Sequence, residues 1–129
     1  MSFGPEHLAK MISGLVCFND QHYWECHEEL EHVWLEDRQD PTRNVYWAVI
    51  QVAASMIHYR EKNIIGASGM LNKSREKFKR VRELHIISPF LMEKLDWEKL
   101  EALVAAVPEK PTDLSAFAPI FEFRFRNYQ

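Results

Sequence analysis

The sequence predicts an all-α fold, a compact bundle of five or six helices that ends in a short extended C-terminal arm. Apolar residues recur at spacings of three and four through most of the chain, which is typical of amphipathic helices. Prolines and capping residues interrupt this pattern where helices are expected to start and end. The 129 residues, 47% of them hydrophobic, suit a single helical domain over residues 1–129 with a sizeable core.

The first two helices are separated by a short break. The first follows Gly4-Pro5, where proline suits a first helical turn, and it ends at Asn19-Asp20. The second covers about residues 21–37. It stops before Pro41, because proline lacks an N–H donor and its predecessor avoids helical angles.

The later helices continue the same pattern. The third covers about residues 42–62, and its nearly all-apolar middle, residues 45–57, predicts a central position in the bundle. The fourth starts near Asn63. Ser88-Pro89 is typical of a cap and first turn, and a last helix is expected over about residues 96–107.

The C-terminal arm, about residues 117–129, is predicted to be extended. From Ile120 onward apolar and charged residues alternate, which puts Phe121, Phe123 and Phe125 on one side. Three phenylalanines in water would form an exposed apolar patch, so the arm should pack against helices. It either covers its own domain or crosses to a second copy, which would make a homodimer.

Composition and charge limit the kinds of partner and the compartment that we expect for this protein. A formal net charge of -3 disfavours nucleic acid, and no apolar run reaches the roughly 20 residues of a membrane span. The N-terminus lacks the pattern of a signal peptide. Two isolated cysteines, Cys17 and Cys26, suit a reducing compartment, so we expect a cytoplasmic protein. No substrate is indicated.

The second helix carries the candidate site. His27 and Glu31 are four residues apart, so their side chains stack on one helix face, and a helical wheel places both inside the apolar sector. Glu28 lies at the edge of that sector, whereas Glu25 falls outside it. An ionisable pair in an apolar sector needs a partner residue, a metal or a catalytic task.

The third helix offers partners for this pair. Gln51, Ser55 and His58 fall in one narrow stripe. If the stripe faces the second helix, His27, Glu31 and His58 could bind a divalent metal such as zinc, manganese, iron or nickel. The metal would activate water for hydrolysis, with Glu28 as the base, Gln51 as an orienting group and Ser55 in support.

A second interpretation needs no metal. His27 and Glu31 could form a hydrogen-bonded pair that fixes helix register, and the stripe on the third helix could be its one exposed edge. The protein would then be a non-catalytic interaction or scaffold domain. Both interpretations stay open at this point.

The motif-bearing core, about residues 18–78, resembles the domain-of-unknown-function family 309. The resemblance rests on four pieces: Phe18-Asn19; Tyr23-Trp24-Glu25-Cys26-His27-Glu28-Glu29-Leu30-Glu31 with Trp34; Ile50-Gln51-Val52-Ala53-Ala54 with His58; and Asn63 with Gly66-Ala67. It implies a compact helical domain and the label "predicted metal-dependent hydrolase". The polar motif residues that it implies are Glu25, His27, Glu28, Glu31, Gln51 and His58. The pattern includes Glu25, which lies outside the apolar sector. Either the second helix packs on two sides, or Glu25 contacts the metal ligands without binding the metal itself.

Overall fold

The structure, a computed structural model, describes residues 2–129 and confirms the all-α prediction. These residues form seven α-helices and one 3-10 helix: α1 (Pro5–Asn19), α2 (Tyr23–Glu36), α3 (Arg43–Arg60), α4 (Ile64–Glu83), α5 (Pro89–Lys94), α6 (Trp97–Ala106), the 3-10 helix (Leu114–Phe117) and α7 (Ala118–Glu122). None of the helices in residues 2–129 has the length and apolar character needed to cross a membrane.

Helix α3 is central, as its apolar middle predicts. Eleven of its residues are buried, and it packs extensively against both α2 and α4. Helix α2 forms an antiparallel hairpin with it. The rings of Trp34 and Trp47 lie 4.8 Å apart near the turn, and the Arg60 guanidinium lies 5.1 Å from the Tyr23 ring at the other end.

Side-chain caps start two of the helices at the expected residues. Asn63 Oδ1 accepts a hydrogen bond from the Gly66 amide at 2.9 Å and begins α4. Ser88 Oγ accepts from the Leu91 amide at 3.1 Å and begins α5. Each cap satisfies an amide that has no partner inside its helix.

The predicted extended arm is wrong over residues 118–122, which form α7. Pro119 lies in the first turn of this helix, where the φ angle fixed by its ring suits helical geometry. Helical spacing lets Phe117 and Ile120, three residues apart, both reach the core, and both are fully buried. The chain is extended only from Phe123 onward.

The remaining arm docks on its own chain. Phe123 and Phe125 are buried while Arg124 is exposed, so the predicted alternation holds there. The Phe125 ring lies 4.9 Å from that of Phe18. Asn19 binds the arm backbone: its Oδ1 accepts from the Phe125 amide at 2.7 Å, and its Nδ2 donates to the carbonyls of Phe125 and Tyr128, each at 2.6 Å. The arm therefore covers the end of α1.

Candidate functional site on α2 and α3

His27 and Glu31, two of the predicted metal ligands, lie one turn apart on α2. His27 Nε2 is 3.8 Å from Glu31 Oε2, and the side chains are 27% and 51% exposed. We expected both in the buried sector, but Glu31 is in solvent and His27 lies at the edge. The reason is that α2 buries only a narrow stripe, formed by Tyr23, Cys26 and Leu30.

Trp24 covers one face of the His27 ring. The two ring centroids are 5.8 Å apart and the planes are inclined by 5°, which is a stacked arrangement. Trp24 is itself 60% exposed. One helical turn separates Trp24 from Glu28, so an aromatic surface and carboxylates lie side by side on the outside of α2.

Glu25 and Glu28 are exposed. Together with Glu29 and His32 they line an open depression of about 300 Å³. Glu25 is outside the buried sector, as the helical wheel predicts, and its Oε2 lies 3.9 Å from Nδ1 of His22. The predicted base, Glu28, thus faces solvent on the outer surface of α2.

Ser55 and His58 are engaged with α4. Ser55 is fully buried, and its hydroxyl donates to the Ala67 carbonyl at 2.7 Å. His58 lies against the backbone of Gly66, where an added Cβ would come within 2.5 Å of the ring Nδ1. That nitrogen is also 3.4 Å from Asn63 Nδ2. A larger residue at position 66 would therefore have to displace the His58 ring.

Gln51 has an unused buried atom. The residue is 6% exposed, and its Oε1 is buried without a hydrogen-bond partner. A buried acceptor without a donor costs about 1–3 kcal/mol. Such an atom requires an explanation, and an unseen water or a bound group are the usual ones.

The predicted metal ligands lie at two different places in the bundle. Among residues 2–129, no three or more His, Cys, Asp or Glu side chains are placed to hold a metal ion. His58 contacts Gly66 of α4, whereas His27 and Glu31 lie together on α2. Catalytic zinc takes three protein ligands, so this arrangement does not fit such a metal.

A buried histidine that the sequence did not single out lies elsewhere. His7 Nδ1 accepts from the Gly4 amide at 3.0 Å, so Nε2 carries the ring proton and donates to Asp40 Oδ2 at 2.8 Å. Burial raises the pKa of Asp40, but hydrogen bonds from His7 and Thr42 outweigh it and leave that pKa below its ordinary value. Both ring nitrogens are occupied, so the pair ties α1 to the α2–α3 turn and offers no free base. Because 33 residues separate the two partners, no local motif could reveal them.

The cysteines are unsuited to nucleophilic chemistry. Burial raises the pKa of the Cys26 thiol. Burial also raises the pKa of Cys17, and the carboxylates of Glu29 and Glu25 add to it. Since the thiolate is the reactive form, a raised pKa disfavours nucleophilic chemistry at both cysteines.

Helix α2, which has five glutamates, and helix α4, which has six lysines and arginines, do not pair within the described residues. No ion pair joins α2 to α4 among the described residues. Two of the cations on α4 face α6 instead: Arg82 pairs with Glu101, and Arg75 donates to the carbonyls of Val104 and Val107.

Fold and site together define a small all-α domain in which the polar motif residues are divided between the α2 surface and the α3–α4 contact. The family model described as "Domain of unknown function (DUF309)" matches residues 11–70. This match confirms the resemblance that the motif residues indicate. It covers the second part of α1, all of α2 and α3, and the start of α4.

One curated relative is itself named as an uncharacterised protein. "Uncharacterized protein YpuF" of Bacillus subtilis (strain 168) is 29% identical over an alignment of 102 residues that covers 76% of this chain and 53% of that protein. The chain thus spans about half the length of this relative. No solved structure matches the chain.

Proposed function

We propose that this protein is a non-catalytic interaction domain in which the polar motif residues of α3 hold the bundle together. One observation carries the proposal: Ser55 and His58, which the hydrolase hypothesis needs at its site, are engaged with α4. Ser55 Oγ donates to the Ala67 carbonyl at 2.7 Å, and His58 fills the space above Gly66. Polar groups used in this way specify helix packing, so Ser55 and His58 are both engaged in the α3–α4 contact.

The outer surface of α2 supports a binding role. Trp24 and Leu35 are 60% and 42% exposed, and Glu28 and Glu31 lie between them along the helix. Exposed aromatic side chains are enriched at contact surfaces, where they bury a large area on association. Neighbouring carboxylates would select a cationic partner surface.

The alternative is a metal-dependent hydrolase centred on the same motif. The observations that favour it are the proximity of His27 to Glu31 and the unpaired buried Oε1 of Gln51. It requires a third ligand, and His58 would have to leave Gly66 to become one. That movement would open the α3–α4 contact, which is why we prefer the interaction domain.

Metal content separates the two functions. Protein purified without a histidine tag is analysed for bound metal, and its melting temperature is measured with added zinc or manganese. The double variant His27→Ala, Glu31→Ala is compared with His32→Ala, Glu36→Ala, which removes another His–Glu pair of the same spacing from the same helix. The interaction domain predicts no stoichiometric metal and no melting shift in any of the three proteins.

The structural role of the α3 stripe is measured separately. Ser55→Ala should lower the free energy of unfolding by about 1 kcal/mol, the net value of one hydrogen bond, with or without a chelator. Stoichiometric metal that is lost only in the His27→Ala, Glu31→Ala variant would overturn the proposal and establish a metal site.

A further inference from the structure

The charges of α2 and α4 are opposite, and no ion pair joins the two helices within the described residues. Helix α2 contains five glutamates and no lysine or arginine. Helix α4 contains six lysines and arginines and two glutamates. Surfaces of opposite charge attract each other at an interface and orient the two partners.

Both helices border one face of the molecule, with α3 between them. Trp47 of α3 contacts both neighbours: its ring lies 4.8 Å from that of Trp34 on α2 and 4.1 Å from Lys77 Nζ on α4. On α2, Trp24, Glu28, Glu31 and Leu35 follow each other at helical spacing along the exposed flank. On α4, Gly66, Met70, Lys73 and Lys77 have the same spacing; Lys73 is exposed, and the other three are partly buried. We call these two rows, with the part of α3 between them, the three-helix face.

The contacts of α3 set the positions of the two rows along it. On the α2 side, the Trp34–Trp47 and Tyr23–Arg60 contacts place Glu31 by interpolation at the level of Gln51. Helix α2 runs antiparallel to α3, so Trp24 lies about two helical turns further along α3, near the level of His58.

The α4 side has matching positions. The Ser55–Ala67 and Trp47–Lys77 contacts place Lys73 at the level of Gln51. Gly66 lies at the level of His58, which it contacts. The carboxylate of Glu31 and the ammonium of Lys73 therefore sit at the same height on opposite sides of α3.

We propose that a second copy of this chain docks on the three-helix face to form a two-fold dimer. A two-fold axis that runs along α3 in the plane of the face exchanges the two sides and keeps each residue at its level. Glu31 of each copy then lies opposite Lys73 of the other. Trp24 lies opposite Gly66, at the start of α4.

The area of the face suits a weak dimer. Helix α3 has 18 residues and is therefore about 27 Å long. Packed helices lie about 8–10 Å apart, so the axes of α2 and α4 are separated by about 16–20 Å across the face. The resulting area, on the order of 500 Å², is below the roughly 800 Å² per partner of a standard interface. The opposed charges supply the orientation. This inference rests on the proposed function, since it names the partner of that domain.

The mass of the full chain in solution tests the dimer. Sedimentation velocity at protein concentrations up to about 100 μM should show dimers at about 20 mM salt and a weaker association at about 500 mM, because salt screens the charges. Glu31→Lys alone and Lys73→Glu alone should each raise the dissociation constant at least about tenfold, since each puts like charges opposite each other twice.

Mixing the two variants should restore the dimer. In the mixed species, the introduced lysine faces the introduced glutamate on one side, and Glu31 faces Lys73 on the other. Both residues are exposed, and circular dichroism melts verify that each variant folds. Glu29→Lys and Lys99→Glu make the same charge changes at exposed residues away from the face and should leave the dissociation constant unchanged.

Three results would overturn the proposal: a monomeric wild type at low salt, a dimer that the control variants weaken as much as the test variants, or no mixed dimer. These outcomes are independent of metal content. A monomer without metal would remove the dimer and leave an interaction domain with a different partner, whereas bound metal would remove the proposed function itself.

Discussion

Asn19 is expected to be one of the most sensitive polar residues of this protein. Its side chain makes three hydrogen bonds to the backbone of the C-terminal arm, at 2.6, 2.6 and 2.7 Å. The net contribution of one such bond is about 0.5–1.5 kcal/mol, so Asn19→Ala should lower the free energy of unfolding by about 1.5–4.5 kcal/mol. The upper part of this range applies if the arm undocks and exposes Phe125 as well, since burying an aromatic side chain adds stability.

Urea denaturation followed by circular dichroism measures the loss. The Phe125 amide donates a hydrogen bond to Asn19 Oδ1 in the folded chain. Hydrogen exchange at this amide therefore reports directly whether the arm is docked. Asp20→Ala changes the exposed neighbouring residue and serves as the control. A loss below about 0.5 kcal/mol, the usual value for a surface substitution, together with unchanged exchange at Phe125, would refute the assignment of Asn19 as the anchor of the arm.

Two glycines on helices should respond in opposite ways to alanine. Gly69→Ala should stabilise the protein by about 0.5–1 kcal/mol in thermal melts, because alanine favours the helix and its Cβ meets nothing within 4 Å. Gly14→Ala should destabilise it, because the Cβ would come within 2.6 Å of the fully buried Leu30; equal effects at both glycines would contradict this packing. Asp40→Asn should lower stability at neutral pH, because the amide cannot accept both of its hydrogen bonds. The folded-state pKa of Asp40 is lowered, so its contribution is complete above its unfolded pKa and lost as the pH falls through the folded one. Urea titrations below about pH 4 should therefore show the gap to wild type narrowing, and a constant gap would exclude the carboxylate as its source.

Local periodicity predicted most of the fold because a helix repeats within a few residues. The central position of α3 follows from its apolar middle, and the starts of α4 and α5 follow from Asn63 and Ser88. The end of the chain was harder to predict. Strict alternation favoured an extended segment at Phe121, but Pro119 and the burial of Ile120 made those residues helical.

The candidate site was predictable only as a set of residues. A helical wheel correctly grouped His27 with Glu31, but it could not give their exposure, because the width of the buried stripe on α2 depends on how α1 and α3 pack against it. The sequence could not give the direction of the stripe on α3, and in the structure its members Ser55 and His58 contact α4.

The sequence by itself determined the helical class, most helix positions and the opposite charges of α2 and α4, because all of these depend on residues close together in the chain. Only the tertiary structure decided which polar residues meet. His7 finds Asp40 across 33 residues, and Asn19 finds Phe125 across 106. Such pairs form when packed helices bring distant segments together, and their geometry follows from the closure of the whole core.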